Sequence, residues 1–270
     1  MQTTTIRASS LSGLFDCPAQ WKAKHIDKIS MPRSPRSLIG NAVHEGAAAY
    51  DASRVHGTGL TINEAAGVAV DYILDKSSEV DWIDLSPKDV EAKTLQIHQR
   101  YCAEISPKFD FVIVEAACNS VNIEIDGINI CLTGTPDRVY QDFAGDFGGL
   151  DLKTGFAAVS KDGEVETIKH IAQAGVYEIM LEQEYNIELR EAFVIAGMST
   201  AGQAPQIGLG MIPSAKAQLL GNPENDTKGL LHYAANILKS GMFYGNPRSM
   251  TCTKQYCPIF NSCKFRGKLS

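Results

Sequence analysis

The pattern of apolar and polar positions divides the chain into a helical first part, a strand-rich middle and a helical last part. Near the start, Leu11, Leu14 and Phe15 form an apolar stripe behind a cap at Ser9 or Ser10. Thr61 followed three residues later by Glu64 is a capping box, which marks the start of another helix. A loop is predicted over 31–37. The predicted helices of this part cover 9–26, 38–52, 61–76 and 87–105.

The apolar period changes in the middle of the chain, where β-rich runs are broken by turn residues. Asp126-Gly127 is a strong hairpin signal between two of these runs. The predicted strands cover 111–117, 120–126, 128–134, 136–142 and 148–154, followed by a helix over 167–185, a strand over 190–198, a loop over 199–210 and a last helix over 226–241. This order predicts an α/β fold with a central mixed β-sheet flanked by helices.

Composition predicts a globular protein that is soluble and cytoplasmic. The 270 residues are 44% hydrophobic and 21% charged, which is enough to build a sizeable core in one domain. No run of 18 apolar residues occurs, and the first ten residues lack the apolar core of a signal peptide, so no membrane partner is expected. Seven cysteines in an intracellular protein favour metal binding or catalysis over disulfides.

Charge is distributed unevenly along the chain, although the net value is only −6. Residues 1–40 carry a net charge of +4, residues 246–270 carry +5, and the remaining middle therefore carries −15. If the two ends meet in space, they form one basic patch that could hold a phosphate backbone. The alternative is that both basic ends serve only solubility.

Candidate catalytic residues lie in the strand-rich middle, in the segments GTPDRVYQ and GGLDLKTG. Period-two alternation places Asp151 and Lys153 on one face of their strand and turns Leu152 toward the core. Two carboxylates from neighbouring strands, Asp137 and Asp151, are hard ligands that suit Mg²⁺ or Mn²⁺. A lysine beside them can orient or help deprotonate a water and can neutralise phosphate charge. The set suits phosphodiester hydrolysis, although a D-x-K tripeptide alone is common and is compatible with unrelated surface residues.

These two segments resemble the nuclease motif of the PD-(D/E)XK superfamily, in its RecB-like branch, with aspartate as the second carboxylate. Further features match the family in order along the chain: the histidine of Gly40-Asn-Ala-Val-His44, the acidic Glu115 after an apolar strand, and Gln173 and Tyr177 in a Q-x-x-x-Y helix. The resemblance covers nearly the whole chain. It implies a restriction-endonuclease-like core.

The resemblance also implies roles for these residues. Asp137, Asp151 and the Leu152 carbonyl would hold the metal, with His44 and Glu115 completing the shell and Lys153 serving the nucleophilic water. Gln173 and Tyr177 lie four residues apart, so they share a helix face and could reach DNA or orient the lysine.

Four cysteines lie at the ends of the chain: Cys17, followed by proline, and the C-x4-C-x5-C group Cys252, Cys257 and Cys263. Four thiolates are the ligand set of a [4Fe–4S] cluster or of a structural Zn²⁺ site, and spacing alone leaves both open. The pattern resembles the iron–sulfur nucleases of the same superfamily, of AddB type and the CRISPR-associated RecB-like exonucleases. These carry one N-terminal and three C-terminal cysteines, with a usual first C-terminal spacing of C-x2-C where this chain has C-x4-C. Cys102, Cys118 and Cys131 fit small core residues instead.

The sequence therefore predicts one nuclease domain over 1–270, with a helical part over 9–105, a nuclease core over 106–200 and a cluster-binding segment over 226–270. The expected function is a metal-dependent exonuclease that processes DNA ends in recombination, repair or CRISPR adaptation, on single-stranded or end-bearing duplex DNA. It would act alone or beside a recombination or annealing partner. Two alternatives remain: a non-catalytic or partner-activated DNA-binding protein on a nuclease fold, and a metal hydrolase with another substrate.

Overall fold

A computed structural model describes residues 3–190, 192–202 and 204–266. Its helices are α1 (Leu11–Asp16), α2 (Pro18–His25), α3 (Pro35–His56), α4 (Ile62–Lys76), α5 (Pro87–Arg100), α6 (Ile171–Tyr185), α7 (Ala215–Leu220) and α8 (Leu230–Ser240). Its strands are β1 (Thr3–Arg7), β2 (Phe111–Val114), β3 (Val121–Ile125), β4 (Ile128–Thr133), β5 (Arg138–Gln141), β6 (Phe147–Gly155), β7 (Phe193–Ser199), β8 (Ile207–Ile212) and a two-residue pair, β9 (Gly221–Asn222) and β10 (Thr227–Lys228). Among these helices, none is long and apolar enough to cross a membrane.

The main sheet has the strand order β2-β5-β6-β7-β8. Only β6 and β7 pair in parallel, and α6 lies in the connection between them, as a parallel pair requires a long crossover. A second sheet has the order β1-β4-β3, with β1 parallel to β4. The predicted mixed α/β architecture with flanking helices is confirmed. The strands predicted over 120–134 belong to the second sheet, however, and do not extend the central one.

Two hydrophobic cores lie on opposite faces of the main sheet, and β7 contributes to both. Phe193 and Ile195 pack with α1, α6, α7, α8 and the second sheet, whereas Val194, Ala196 and Met198 pack with α3, α4 and α5. Successive side chains of a strand point to opposite faces, so a strand covered on both sides is apolar throughout. This explains why its sequence has no polar alternation.

The first predicted helix, 9–26, is in fact two helices that meet at Cys17. The backbone of Cys17 leaves helical geometry, with φ −146° and ψ 87°, and α2 then begins at Pro18. Proline lacks an N–H and disfavours helical geometry in the residue before it, so the break follows from the Cys-Pro pair. Ser10 does not cap α1 through its side chain; its hydroxyl donates to the Arg7 carbonyl at 2.8 Å.

Other differences concern elements whose sequence signal is weak. The strand β1 and the helix α7 were not predicted, and β8 occupies part of the predicted loop 199–210. Two glycines lower the strand propensity of β8, but pairing with the buried β7 overrides that preference. The helix α3 begins three residues before its predicted start, behind the Ser34 cap, and α8 begins four residues after its own.

Two local predictions are confirmed in detail. Thr61 and Glu64 form the reciprocal hydrogen bonds of a capping box at the start of α4. Asp126 and Gly127 form the two-residue turn between β3 and β4, with φ values of 53° and 79°. Positive φ at both positions is what a type I′ hairpin turn requires.

Candidate active site and metal centre

The helix α3 reaches the site because it packs very closely on β6. A Cβ atom at Gly40 would lie 2.6 Å from Thr154 Oγ1, so a larger residue here would have to displace the threonine side chain. His44 lies one turn later on the same face. Its Nε2 is 2.8 Å from the Leu152 carbonyl oxygen, and its Nδ1 is 3.3 Å from Asp137 Oδ2.

Asp137 immediately precedes β5 and is 6% exposed. Its Oδ2 accepts a hydrogen bond from the Leu152 N–H at 2.8 Å, which ties β5 to β6. Glu115 follows β2 in the left-handed region, with φ 51°, and its N–H donates to the Asp137 carbonyl at 2.8 Å. Within the described residues, the set of ligand atoms that approach one another within 4.8 Å consists of His44, Glu115 and Asp137.

Asp151 lies next to this set, on the α6 side of the sheet, and is 1% exposed. Its Oδ2 is 2.5 Å from the Lys153 ammonium. Gln173 donates to Asp151 Oδ1 at 3.1 Å and to the Tyr177 hydroxyl at 2.8 Å. Gln173 and Tyr177 are both buried. Gln173 thus holds the aspartate that pairs with Lys153, and Tyr177 contacts Gln173. Leu152 points into the α3 core, as predicted.

Two carboxyl groups of the site, those of Glu115 and Asp151, have raised pKa values. Burial and the neighbouring Asp137 raise the pKa of Glu115 to about 7, against the opposing effect of Arg138. Burial raises the pKa of Asp151 to about 6; the Lys153 ammonium opposes this shift and Asp137 adds to it. Clustered carboxylates with an imidazole beside them are a donor set that suits a hard divalent cation, which would supply the missing positive charge.

We expect the contribution of Glu115 to the stability of the metal-free protein to fall as the pH rises. The pKa of this carboxyl is about 7 in the folded state against its usual 4.5, so the protonated form favours folding and that contribution is lost as the carboxyl ionises. In EDTA this effect should lower Tm at pH 8 relative to pH 5.5, against the buried His170, whose lowered pKa acts in the opposite direction, and Mg²⁺ should raise Tm more at pH 8.

Glu115→Gln should flatten this dependence, whereas Glu124→Gln, on an exposed position of β3, should leave it unchanged. Equal pH dependence in both variants would contradict the assignment of the shift to Glu115.

A buried ion pair behind the site was not predicted from the sequence. Arg138 is fully buried; its Nε donates to Asp51 Oδ2 at 2.7 Å and its Nη1 to Glu115 Oε1 at 2.9 Å. Tyr101 and Ser106 also donate to the Asp51 carboxylate. Asp51 lies seven residues after His44 and so on the same face of α3. An acidic residue at this spacing from His44, within an otherwise Ala-rich helix, could have indicated a buried partner for a basic side chain.

Asp51→Ala should lower the free energy of unfolding by about 3–5 kcal/mol, because it leaves the Arg138 guanidinium buried without its main partner. Asp84→Ala removes one member of a partly exposed ion pair, Arg36–Asp84, and should cost less than about 1 kcal/mol. Urea unfolding followed by circular dichroism measures both. Similar losses in the two variants would show that the buried pair contributes no more than a surface one.

The four end cysteines line one cavity between α2 and the C-terminal segment. Burial and the other three cysteines raise the pKa of Cys252, and Arg266 opposes the shift. No three of these sulfur atoms lie within 4.8 Å of one another. Of the other cysteines, Cys102 is buried in the core as predicted, whereas Cys118 and Cys131 are only partly buried.

Polar contacts join the two ends of the chain around this cavity. Gln20 donates to the carbonyls of Thr251 and Tyr256, at 3.0 and 3.1 Å, and its own oxygen accepts from the Thr251 hydroxyl. The Asn246 N–H lies 3.3 Å from Cys17 Sγ. Lys24 lies near these cysteines. Burial lowers the pKa of its ammonium, and the electrostatic effect of Cys257 and Cys17 partly offsets this shift. The two basic ends therefore do come together.

Known proteins were compared with this chain by sequence and by structure. A solved structure titled "Crystal structure of SSO0001" matches with 12% sequence identity and a TM-score of 0.44, covering 98% of this chain and 87% of that one. No curated protein matches the sequence. The family model of the PD-(D/E)XK nuclease superfamily matches residues 5–264. The chain belongs to the PD-(D/E)XK nuclease superfamily.

Proposed function

We propose that this protein is a metal-dependent DNA nuclease that acts as an exonuclease on DNA ends. The observation that carries the proposal is the convergence of His44, Glu115 and Asp137 beside the Asp151–Lys153 ion pair. Family membership makes nuclease activity the expected function, and the intact carboxylates and lysine argue against a degenerate site. A hydrolase for another kind of substrate would not need the paired basic ends.

Each residue of the site has a role in this proposal. His44, Glu115, Asp137 and Asp151 would hold Mg²⁺ or Mn²⁺, which would polarise the scissile phosphate and lower the pKa of a bound water. The Leu152 carbonyl, which here contacts His44, is the remaining ligand candidate. Lys153 holds a proton beside Asp151 and places its ammonium where phosphate charge develops. Gln173 fixes the Asp151 carboxylate, with Tyr177 behind it.

DNA is the proposed substrate because the basic ends of an otherwise acidic chain are joined. The described part of these ends includes Lys22, Lys24, Arg248, Lys254 and Lys264, which lie on α2 and on the C-terminal segment. Cations gathered on one surface attract a phosphate backbone and release its counterions, so binding should weaken strongly with salt. We also propose that the nuclease acts alone or beside a recombination or annealing partner protein.

We assign the four end cysteines to a [4Fe–4S] cluster, as in the RecB-like iron–sulfur branch. In a tetrahedral zinc site with Zn–S bonds of about 2.3 Å, the sulfur atoms would be about 3.8 Å apart. No three of the four sulfur atoms are this close to one another, and the support for a cluster over a single zinc ion is the resemblance of the cysteine pattern to the iron–sulfur nucleases. Its role is structural: it ties the N-terminal helices to the C-terminal segment.

The test is incubation of anaerobically purified protein and Mn²⁺ with end-labelled linear DNA and with circular DNA, each single-stranded or duplex. Loss of linear DNA with resistance of the circles supports an exonuclease. Lys153→Ala should lose this activity, whereas Lys161→Ala, in an exposed turn, should keep it. Cleavage of circles would replace the exonuclease assignment with an endonuclease. Binding without any cleavage would favour the partner-activated alternative.

A further inference from the structure

A hairpin formed by residues 156–168 directly follows strand β6 and leads into α6. Val159 pairs with Val165 in antiparallel fashion, and the Glu166 N–H donates to the Ala158 carbonyl at 3.3 Å. The hairpin thus connects Lys153, at the end of β6, to Gln173, in the first turn of α6.

The hairpin lies on a bare patch of the main sheet. A Cβ atom at Gly197 would lie 2.9 Å from the Ala158 carbonyl oxygen, and one at Gly208 would lie 2.9 Å from the Gly163 carbonyl oxygen. These two glycines are cross-strand partners on β7 and β8. The backbone of the hairpin therefore packs directly on the backbone of the sheet, which fixes its position.

Two large apolar side chains at the base of this hairpin point into solvent. Phe156 is 69% exposed and Ile168 is 77% exposed. The backbone of Phe156 is held, since its carbonyl accepts from the Ser199 hydroxyl at 3.2 Å and the preceding carbonyl, of Gly155, accepts from Thr200 N–H at 3.1 Å. The Phe156 ring is therefore held in place by its backbone but buries little apolar surface in the free protein.

From these contacts we infer that Phe156 is a stacking platform for a nucleobase of the DNA strand whose phosphate lies at Lys153. Phe156 follows Lys153 by three positions, so their Cα atoms are at most about 11 Å apart. That distance corresponds to two or three nucleotides at about 3.4 Å each. Aromatic rings stack on all four bases, so the platform would hold the strand without reading its sequence.

This inference rests on the proposed function, because it takes the strand at Lys153 to be DNA. Its test therefore measures binding apart from cleavage. A single-stranded oligonucleotide with 2-aminopurine at one of its three terminal positions is titrated with protein in Ca²⁺, and fluorescence reports both affinity and stacking. Phe156→Ala should raise Kd about 5- to 100-fold and abolish the quenching at one position.

Phe156→Trp should retain both the affinity and the quenching, since a larger ring still stacks. Phe143→Ala is the matched control, because Phe143 is a fully exposed phenylalanine in the turn at the far end of β5. Its Kd should equal that of the wild type. Where cleavage is measurable, Phe156→Ala should raise KM with little change in kcat, because a platform away from the reacting bond holds ground and transition states equally.

The inference and the proposed function can fail separately. If Phe156→Ala binds within twofold of the wild type and stays quenched, the platform is wrong even where DNA is cleaved. If the oligonucleotide binds and depends on Phe156 but no metal supports cleavage, the platform stands and the nuclease activity does not.

Discussion

Asp151→Asn should lower the rate of DNA cleavage by at least about 10³-fold while leaving DNA binding intact. The amide keeps the shape of the side chain and can still accept from Gln173 Nε2, so the packing of α6 on β6 should survive. The substitution removes the negative charge of Asp151. This charge pairs with Lys153 and, in the proposed function, would bind the cation. Since the carboxyl of Asp151 is buried with a raised pKa, its loss should cost the metal-free protein little stability.

Single-turnover cleavage of end-labelled linear DNA in saturating Mn²⁺ measures this effect, and binding is followed separately in Ca²⁺. Asp162→Asn is the matched control, because Asp162 lies in the exposed turn of the 156–168 hairpin. Its rate should equal that of the wild type. A rate for Asp151→Asn within tenfold of the wild type would remove Asp151 from the proposed catalytic set.

Cys257→Ser should prevent binding of the proposed cluster and lower Tm by about 10 °C or more. Cys17 and Cys252 are about 235 residues apart, and cross-linking a loop even of 100 residues contributes about 4.7 kcal/mol in the chain-entropy model. In a protein of this size, each kcal/mol shifts Tm by about 2–4 °C. Loss of one of four ligands should also release the contacts between α2 and the C-terminal segment that surround Gln20.

Iron content per chain, measured after anaerobic purification, reports on the cluster, and differential scanning calorimetry reports on stability. The wild type should hold about four iron atoms and Cys257→Ser less than one. Cys118→Ser alters a partly buried cysteine away from the cavity and should keep both iron and Tm. One zinc ion per wild-type chain would establish the zinc alternative, and equal metal content in the variants would exclude Cys257 as a ligand.

Local sequence rules account for only part of the candidate site. Strand alternation placed Asp151 and Lys153 on one face of their strand, whereas His44 and Glu115 were proposed from the resemblance of their segments to the family. Local rules of this kind give the direction of a side chain but not the residues that it contacts in the folded protein. Gln173 therefore shared a predicted helix face with Tyr177, but its contact with Asp151 depends on how α6 crosses the sheet.

Long-range pairing explains most of what the sequence did not reveal. The strand β1 is only five residues long and is stabilised by β4, about 126 residues away in the chain, so no local window contains its partner. The Asp51–Arg138 ion pair spans 87 residues and is similarly invisible to local patterns. By contrast, the breaks that depend on a single residue, such as the one before Pro18, could have been predicted, because proline acts locally.

Metal-dependent cleavage by this site is tested most directly by single-turnover degradation of linear DNA in Mn²⁺, in EDTA, and in Mn²⁺ with Lys153→Ala. Lys153 is chosen because its side chain is partly exposed, so the variant should fold like the wild type. Linear DNA should be degraded only by the wild-type protein and only in Mn²⁺. Equal degradation in EDTA, or by Lys153→Ala in Mn²⁺, would contradict it.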